Sequence, residues 1–188
     1  IKVFIVYGML SDDKFYDRTQ KIALFKNTDA KYSTPEEYME SVKAMQTDKE
    51  GNLILLYAND VESQYSFIEK AKERGYDVLL MDGVLDTHFV DLMERKLEKT
   101  RFVRVDAESV DKLIVKEEAQ VSKLSEEQQT ELKTYFDKDL DSKMFSVQFE
   151  SLSETEDPII ITQPEFMRRM KDMQAMGGGQ MSFMGDMP

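Results

Sequence analysis

The sequence predicts an α/β fold, a small and mostly parallel three-layer sheet, followed by a small α+β subdomain. Three observations carry that reading. Residues 52–58 (NLILLYA), 77–81 (DVLLM) and 101–105 (RFVRV) are short apolar runs without alternation, as expected of strands buried on both faces. Helical stretches with their own start and stop signals separate these runs, the pattern of βαβ units joined by right-handed crossovers. Beyond Asp106 the texture becomes charged and weakly apolar, so a boundary is expected near residue 115, dividing 1–114 from 115–188.

The chain opens on an apolar stretch, 1–10. Ser11, Asp12 and Asp13 then offer an N-cap and an acidic first turn for a helix running to about Phe25, with Phe15, Ile22, Ala23 and Phe25 facing inward. Residues 26–33 (KNTDAKYS) read as a polar loop with room for a short strand. At Thr34 a helix begins with every local signal present. Thr34 caps, Pro35 sits where its missing donor costs nothing, and Glu37 completes a capping box. Tyr38, Met39, Val42 and Met45 follow at helical spacing.

After the strand at 52–58, Asn59 and Asp60 are expected to cap a helix over 61–74, which Gly75 ends. The strand at 77–81 ends in Asp82 and Gly83. A helix over about 85–99 follows, with Leu85, Phe89, Leu92, Met93 and Leu97 inward, and then the third strand. Residues 108–123 read as a linker helix anchored by Val110, Leu113 and Ile114. Ser125 and Gln128 form a second capping box, opening a helix to about Phe136 or Leu140. Residues 144–149 (MFSVQF) alternate as a half-buried strand does, and 158–162 (PIIIT) read as another strand led by proline.

Composition narrows the chemistry. The 188 residues hold 25 basic and 37 acidic side chains, a net charge of −12, which argues against a phosphate-backbone binder; no nucleic-acid partner is expected. With no cysteine and one histidine, disulfides, thiolate zinc sites, cysteine nucleophiles and histidine-rich metal sites are excluded. No apolar run approaches the ~20 residues of a membrane span. Ile1 is not an initiator and no signal-peptide pattern follows it, so the chain is expected to be cytoplasmic and part of something longer.

The carboxyl ends of parallel strands are where ligands bind in open α/β sheets. Here they present Asn59, Asp60, Asp82 and Asp106. Asp82 stands where some doubly wound folds carry a phosphorylatable or magnesium-binding carboxylate. It equally suits a turn and helix start, and the paired acids and lysine of a phosphotransfer site are missing. The strand-to-helix turns lack the glycines of a dinucleotide or Walker site, and the glycines at 177–179 follow a helix instead of opening one. His88 has no evident partner, and no serine lies in a nucleophile elbow. Catalytic, cofactor-binding and metal-ligating residues are therefore expected to be absent.

The tail differs. Seven of the 13 methionines and four of the eight glycines fall in the last 22 residues. Thr162 can cap and Glu165 fits a capping box, so Phe166 opens a helix (FMRRMKDMQAM) ending at Met176. At helical pitch Phe166, Met170, Met173 and Met176 share an arc of about 120°, with Met167 flanking it and Arg169 inside it. Methionine is flexible and polarizable, so such a face repacks against many apolar shapes and suits promiscuous peptide binding. Ordinary core packing, in a chain that is a structural scaffold, competes with that reading. So does a receiver-like phosphotransfer domain centred on Asp82.

The order of these pieces adds a resemblance. A helix, then Thr34-Pro35-Glu36-Glu37-Tyr38-Met39, the strand 52–58, the turn and strand 75–82 (GYDVLLMD) and 109–113 (SVDKL) resemble the carboxyl-terminal portion of the middle domain in bacterial heat-shock protein 90 chaperones. Residues 124–188, including 164–170 (PEFMRRM), resemble the first part of that family's carboxyl-terminal domain. The resemblance covers essentially the whole chain. It implies a cytoplasmic, homodimeric, ATP-driven stress chaperone that binds and remodels unfolded proteins. It assigns 1–114 to the middle domain and 115–188 to a truncated dimerisation domain. The ATP and magnesium site would lie upstream and the dimer helices downstream, so this piece would be no enzyme and hold no cofactor. It would contact unfolded client proteins through Phe166, Met167, Met170, Met173 and Met176, and no membrane.

Overall fold

A computed structural model describes residues 1–108, 110–114, 124–140, 145–149 and 158–162, together with Met167 and Met170. Two units emerge, one of Ile1–Lys116 with Ile161–Pro188 and one of Glu117–Ile160.

In the first unit α1 (Lys2–Ser11) is apolar on nearly every side and buries Val6 and Met9. Asp12 then caps α2 (Asp13–Thr19), its Oδ1 accepting from the Phe15 N–H at 2.7 Å. This helix stops well short of Phe25, because the chain turns to make β1 (Phe25–Lys26), which pairs antiparallel with β2 (Tyr32–Ser33). The inward face expected of a longer helix is corrected accordingly. Ala23 and Phe25 are buried, whereas Ile22 is 68% exposed, Phe15 lies partly in solvent, and Tyr16 takes the core position. The Phe25 ring packs edge-on against Tyr38, Phe89 and Phe102, an arrangement that a helical Phe25 would forfeit.

Thr34 caps α3 (Pro35–Gln46) with the full capping box: Thr34 Oγ1 accepts from Glu37 N, and Glu37 Oε2 accepts from Thr34 N. Tyr38 and Val42 are buried as expected; Met45 is exposed, and Gln46 is buried in its stead. β3 (Leu53–Ala58) follows. Next comes α4 (Tyr65–Glu73), shorter than expected because the Gln64 side chain reaches back to the N–H groups of Asn59 and Asp60 and closes a turn first. Gly75, at φ +77°, ends it in the left-handed conformation that glycine adopts without strain. β4 (Val78–Leu80), α5 (Asp86–Lys96), β5 (Thr100–Arg104) and α6 (Val110–Leu113) follow. The helix expected to Lys99 ends at Lys96 because Leu97 is already extended and Lys99 takes a positive φ to turn into β5.

The sheet is parallel with order β4-β3-β5, which makes this an α/β fold. Strand alternation divides its side chains between two layers. Leu55, Tyr57, Leu79 and Phe102 meet side chains of α1, α2, α3 and α5, while Ile54, Leu56, Ala58 and Val78 meet Ile68 and Ala71 of α4 and Leu113 and Ile114. Both outer edges are covered. The hairpin lies along β4, where Thr28 N donates to Val78 O and Asn27 bridges Leu79; at β5 the Glu94 carboxylate accepts from Phe102 N.

The second unit contains α7 (Glu126–Phe136), capped by the Ser125–Gln128 box, with no buried residue of its own. The strand expected at 144–149 is not formed at its described positions, 145–149, and neither is the one expected at 158–162. Phe145, Ile159 and Ile161 are exposed; apolar residues, alternating or consecutive, make a strand only where a neighbour pairs with them and a core receives them.

Candidate functional site

Two places carry the chemistry the sequence singles out: the carboxyl ends of the strands and the methionine segment. At the ends of β3 and β5 the polar groups Asn59, Asp60 and Asp106 are engaged locally. Gln64 Oε1 accepts from Asn59 N and Asp60 N at 3.0 Å each. Asp60 Oδ1 accepts from Glu62 N, and hydrogen bonds from Ser63 hold its carboxyl below the usual range. Arg104 forms a two-pronged ion pair with Asp106, its Nη2 at 2.7 Å from Oδ2, and its Nη1 reaches Asn59 Oδ1. Gln64 itself is 3% exposed, and its Nε2 has no hydrogen-bond partner among the described residues.

Asp82 points into solvent and makes no hydrogen bond among the described residues; His88 is exposed as well. The buried acid at this strand end is Asp86, a residue the sequence reading passed over. Its Oδ2 takes the Lys2 Nζ at 2.7 Å and the Gly83 N–H at 3.0 Å, pinning α1 to the start of α5. That geometry is structural: a lysine neutralises a carboxylate withdrawn from water. A contact between residues 84 positions apart leaves no local trace in the sequence. Among the described residues no three acidic or histidine side chains converge as metal ligands would.

Of the methionine segment, Met167 and Met170 are described, both helical. Met167 is 51% exposed and Met170 half-buried. Phe166, Met173 and Met176 lie outside the described residues. Elsewhere, buried methionines serve the core: Met9, Met81 and Met93 are 2%, 5% and 1% exposed. Thioethers in this chain thus occupy both environments.

A further apolar surface was not singled out from the sequence. Val3, Phe4 and Tyr7 project from α1 into solvent beside the preceding Ile1, with Phe4 80% exposed. The available signal was a ten-residue helix apolar on all sides, more than one buried face accounts for.

Among known proteins, the family described as Hsp90 protein matches residues 3–186. Over 191 aligned residues the chain is 50% identical to chaperone protein HtpG of Bacteroides fragilis strain YCH46, 48% to that of Bacteroides thetaiotaomicron and 47% to that of Porphyromonas gingivalis strain ATCC 33277. Each alignment covers 100% of this chain and 28% of the relative, so the chain spans under a third of the proteins it matches. The chain belongs to the Hsp90 family.

Proposed function

We propose that this Hsp90-family chain is a non-catalytic part of an ATP-driven cytoplasmic chaperone, coupling domains through its α/β unit and contacting unfolded clients through the segment 166–176. The ATP and magnesium site and the dimer-forming helices of such a protein would lie outside these residues. The family match over 3–186, joined to a methionine of that segment standing 51% exposed, carries the reading.

The sheet suits a coupling element. Leu55, Leu56 and Ala58 of β3 are fully buried, and helices cover both faces, so force applied at one end is transmitted with little deformation. The methionine face suits client contact for a different reason. Each apolar side chain buried against a client contributes about 1.5–3 kcal/mol, and immobilising it costs about 0.5–1.5 kcal/mol. A few such contacts give weak, reversible capture of many apolar sequences, and the flexible thioethers adapt to each.

The phosphotransfer alternative centred on Asp82 has no support in family or geometry. No helix among the described residues is long and apolar enough to cross a membrane.

The test is the double variant Met170→Ser, Met173→Ser. Its affinity for a permanently unfolded protein, reduced and carboxymethylated α-lactalbumin, is measured by fluorescence anisotropy, with circular dichroism as the check on folding. Weakened binding with an unaltered spectrum is expected. Unchanged affinity would overturn the assignment of the client surface.

A further inference from the structure

We propose that the helical hairpin of α1 and α2 is a docking surface for an acidic amphipathic segment of another protein, its apolar side chains lying over Phe4, Tyr7 and Phe15 and its carboxylates meeting Lys14 and Arg18. Docking here does not depend on the role of segment 166–176.

The surface is built by two helices that meet closely. At helical pitch Phe4, Tyr7, Gly8 and Ser11 share an arc of about 100° on α1, opposite the buried Val6 and Met9. Phe4 is 80% and Tyr7 62% exposed, so the outer arc carries two aromatic rings in water. Gly8 and Ser11 of the same arc form one wall of a cavity of about 390 Å³, lined also by Asp12, Lys14, Phe15 and Arg18. A Cβ on Gly8 would stand 2.6 Å from the Phe15 ring, so only glycine lets that ring lie across α1 and floor the cavity. Phe15 itself is 38% exposed. A volume of this order is one that receives a ligand group or a partner's side chains.

Charge selects the occupant, because α2 sorts its charges by face. Asp13 and Asp17, one turn apart, both act on Lys96 of α5. Asp13 Oδ1 lies 2.8 Å from the Lys96 Nζ, and this hydrogen bond, with the Asp17 carboxylate adding, raises the ammonium above its ordinary pKa. Lys14 and Arg18, also one turn apart, line the cavity instead, and neither has an ion-pair or hydrogen-bond partner among the described residues. The acid beside them, Asp12, is engaged by the Phe15 N–H. Two unengaged cations thus border an apolar floor. The net charge of −12 is felt little there, since exposed charges are screened beyond about 8 Å at physiological salt. Two copies meeting through this face about a two-fold axis would bring cations toward cations, which disfavours self-association. An acidic segment supplies what is missing: carboxylates for Lys14 and the planar Arg18 guanidinium, and apolar side chains for rings of the kind that concentrate in interface cores.

The experiment titrates the 188-residue chain into two fluorescein-labelled peptides, the acidic ELFEDLFE and its neutral counterpart QLFQNLFQ, and reads fluorescence anisotropy at physiological salt. Saturable binding of the acidic peptide is expected, about threefold or more tighter than that of the neutral one. The variant Lys14→Gln, Arg18→Gln should abolish this preference while still binding both peptides weakly. Phe4→Ser, Tyr7→Ser should weaken both by about fivefold or more, with circular dichroism confirming the fold, as expected for side chains that stand in solvent. Lys31→Gln, Lys49→Gln removes two exposed cations from outside the cavity lining and should bind as wild type does. Absence of saturable binding, equal affinity for the two peptides, or a preference that survives Lys14→Gln, Arg18→Gln would overturn the inference. So would an equal loss in the Lys31→Gln, Lys49→Gln control, which would reduce the effect to overall charge. Wild-type affinity in Phe4→Ser, Tyr7→Ser would likewise exclude the apolar arc as the docking surface.

Discussion

Replacing Gln46 by leucine should destabilise the α/β unit by about 2–4 kcal/mol, and the figure follows from where the Gln46 side chain sits. Alternate residues of β3 turn their backbone polar groups toward opposite neighbours: Met81 N donates to Ala58 O on the β4 side, Val105 N to Tyr57 O on the β5 side. Ile54 shares the parity of Ala58 and faces β4, but β4 begins only at Val78, which pairs with Leu56. Gln46 fills the missing position. Its Nε2 donates to Ile54 O at 2.8 Å and its Oε1 accepts from Asp77 N at 2.7 Å, with Gln46 fully buried. Leucine keeps the volume and removes both partners. A buried carbonyl left unpaired costs about 1–3 kcal/mol, and the half-buried Asp77 N–H adds about 1 kcal/mol. With a urea m-value of about 2 kcal/mol/M, the midpoint of the far-ultraviolet circular dichroism transition should fall by about 1–2 M at unchanged slope. A shift under about 0.3 M would refute the reasoning, since both groups would then be satisfied without Gln46.

Three further variants can be checked by denaturation or hydrogen exchange. The Tyr38 hydroxyl donates to Asp77 Oδ1 at 2.9 Å, and burial, reinforced by the Asp77 carboxylate, drives its pKa far above the ordinary 10.0. The folded state therefore retains a proton that the unfolded state releases above pH 10.0; the stabilisation is whole below that pH and erodes above it. Tyr38→Phe should be less stable than wild type at pH 7, with the gap in urea midpoint narrowing beyond pH 10. Removing caps should separate the two units: Thr34→Ala should cost about 1 kcal/mol on α3, which tertiary packing retains, whereas Ser125→Ala should visibly lower amide protection over 126–136 in hydrogen exchange, because α7 has no buried residue to hold it.

Local chemistry carried most of the fold's legibility. Thr34 with Glu37 and Ser125 with Gln128 state helix starts within four residues, and both boxes form. The runs at 52–58 and 77–81 state doubly buried strands through the lack of alternation, and β3 and β4 lie there. Gly75 ends α4 because its φ is one that glycine reaches freely. For the site, the methionine pitch was legible before any coordinate, as was the competing reading that such spacing belongs to a core.

What the sequence by itself determined is therefore the capped helix starts at Thr34 and Ser125, the buried parallel strands with the helices between them, and the resemblance to the family. The caps rest on interactions between residues a few positions apart, and the strand runs on composition that any covering layer would reward. Only tertiary structure decided that Phe25 leaves a helix for a hairpin on the β4 edge, that Gln46 substitutes for missing strand, and that Asp86 rather than Asp82 is the withdrawn acid held by Lys2. It also formed no strand at 145–149 or 158–162, where alternation in the first and an apolar run in the second were not enough by themselves. Each of these outcomes depends on which distant group arrives to satisfy a buried polar atom or cover an apolar face, and that arrival is a property of the packed whole.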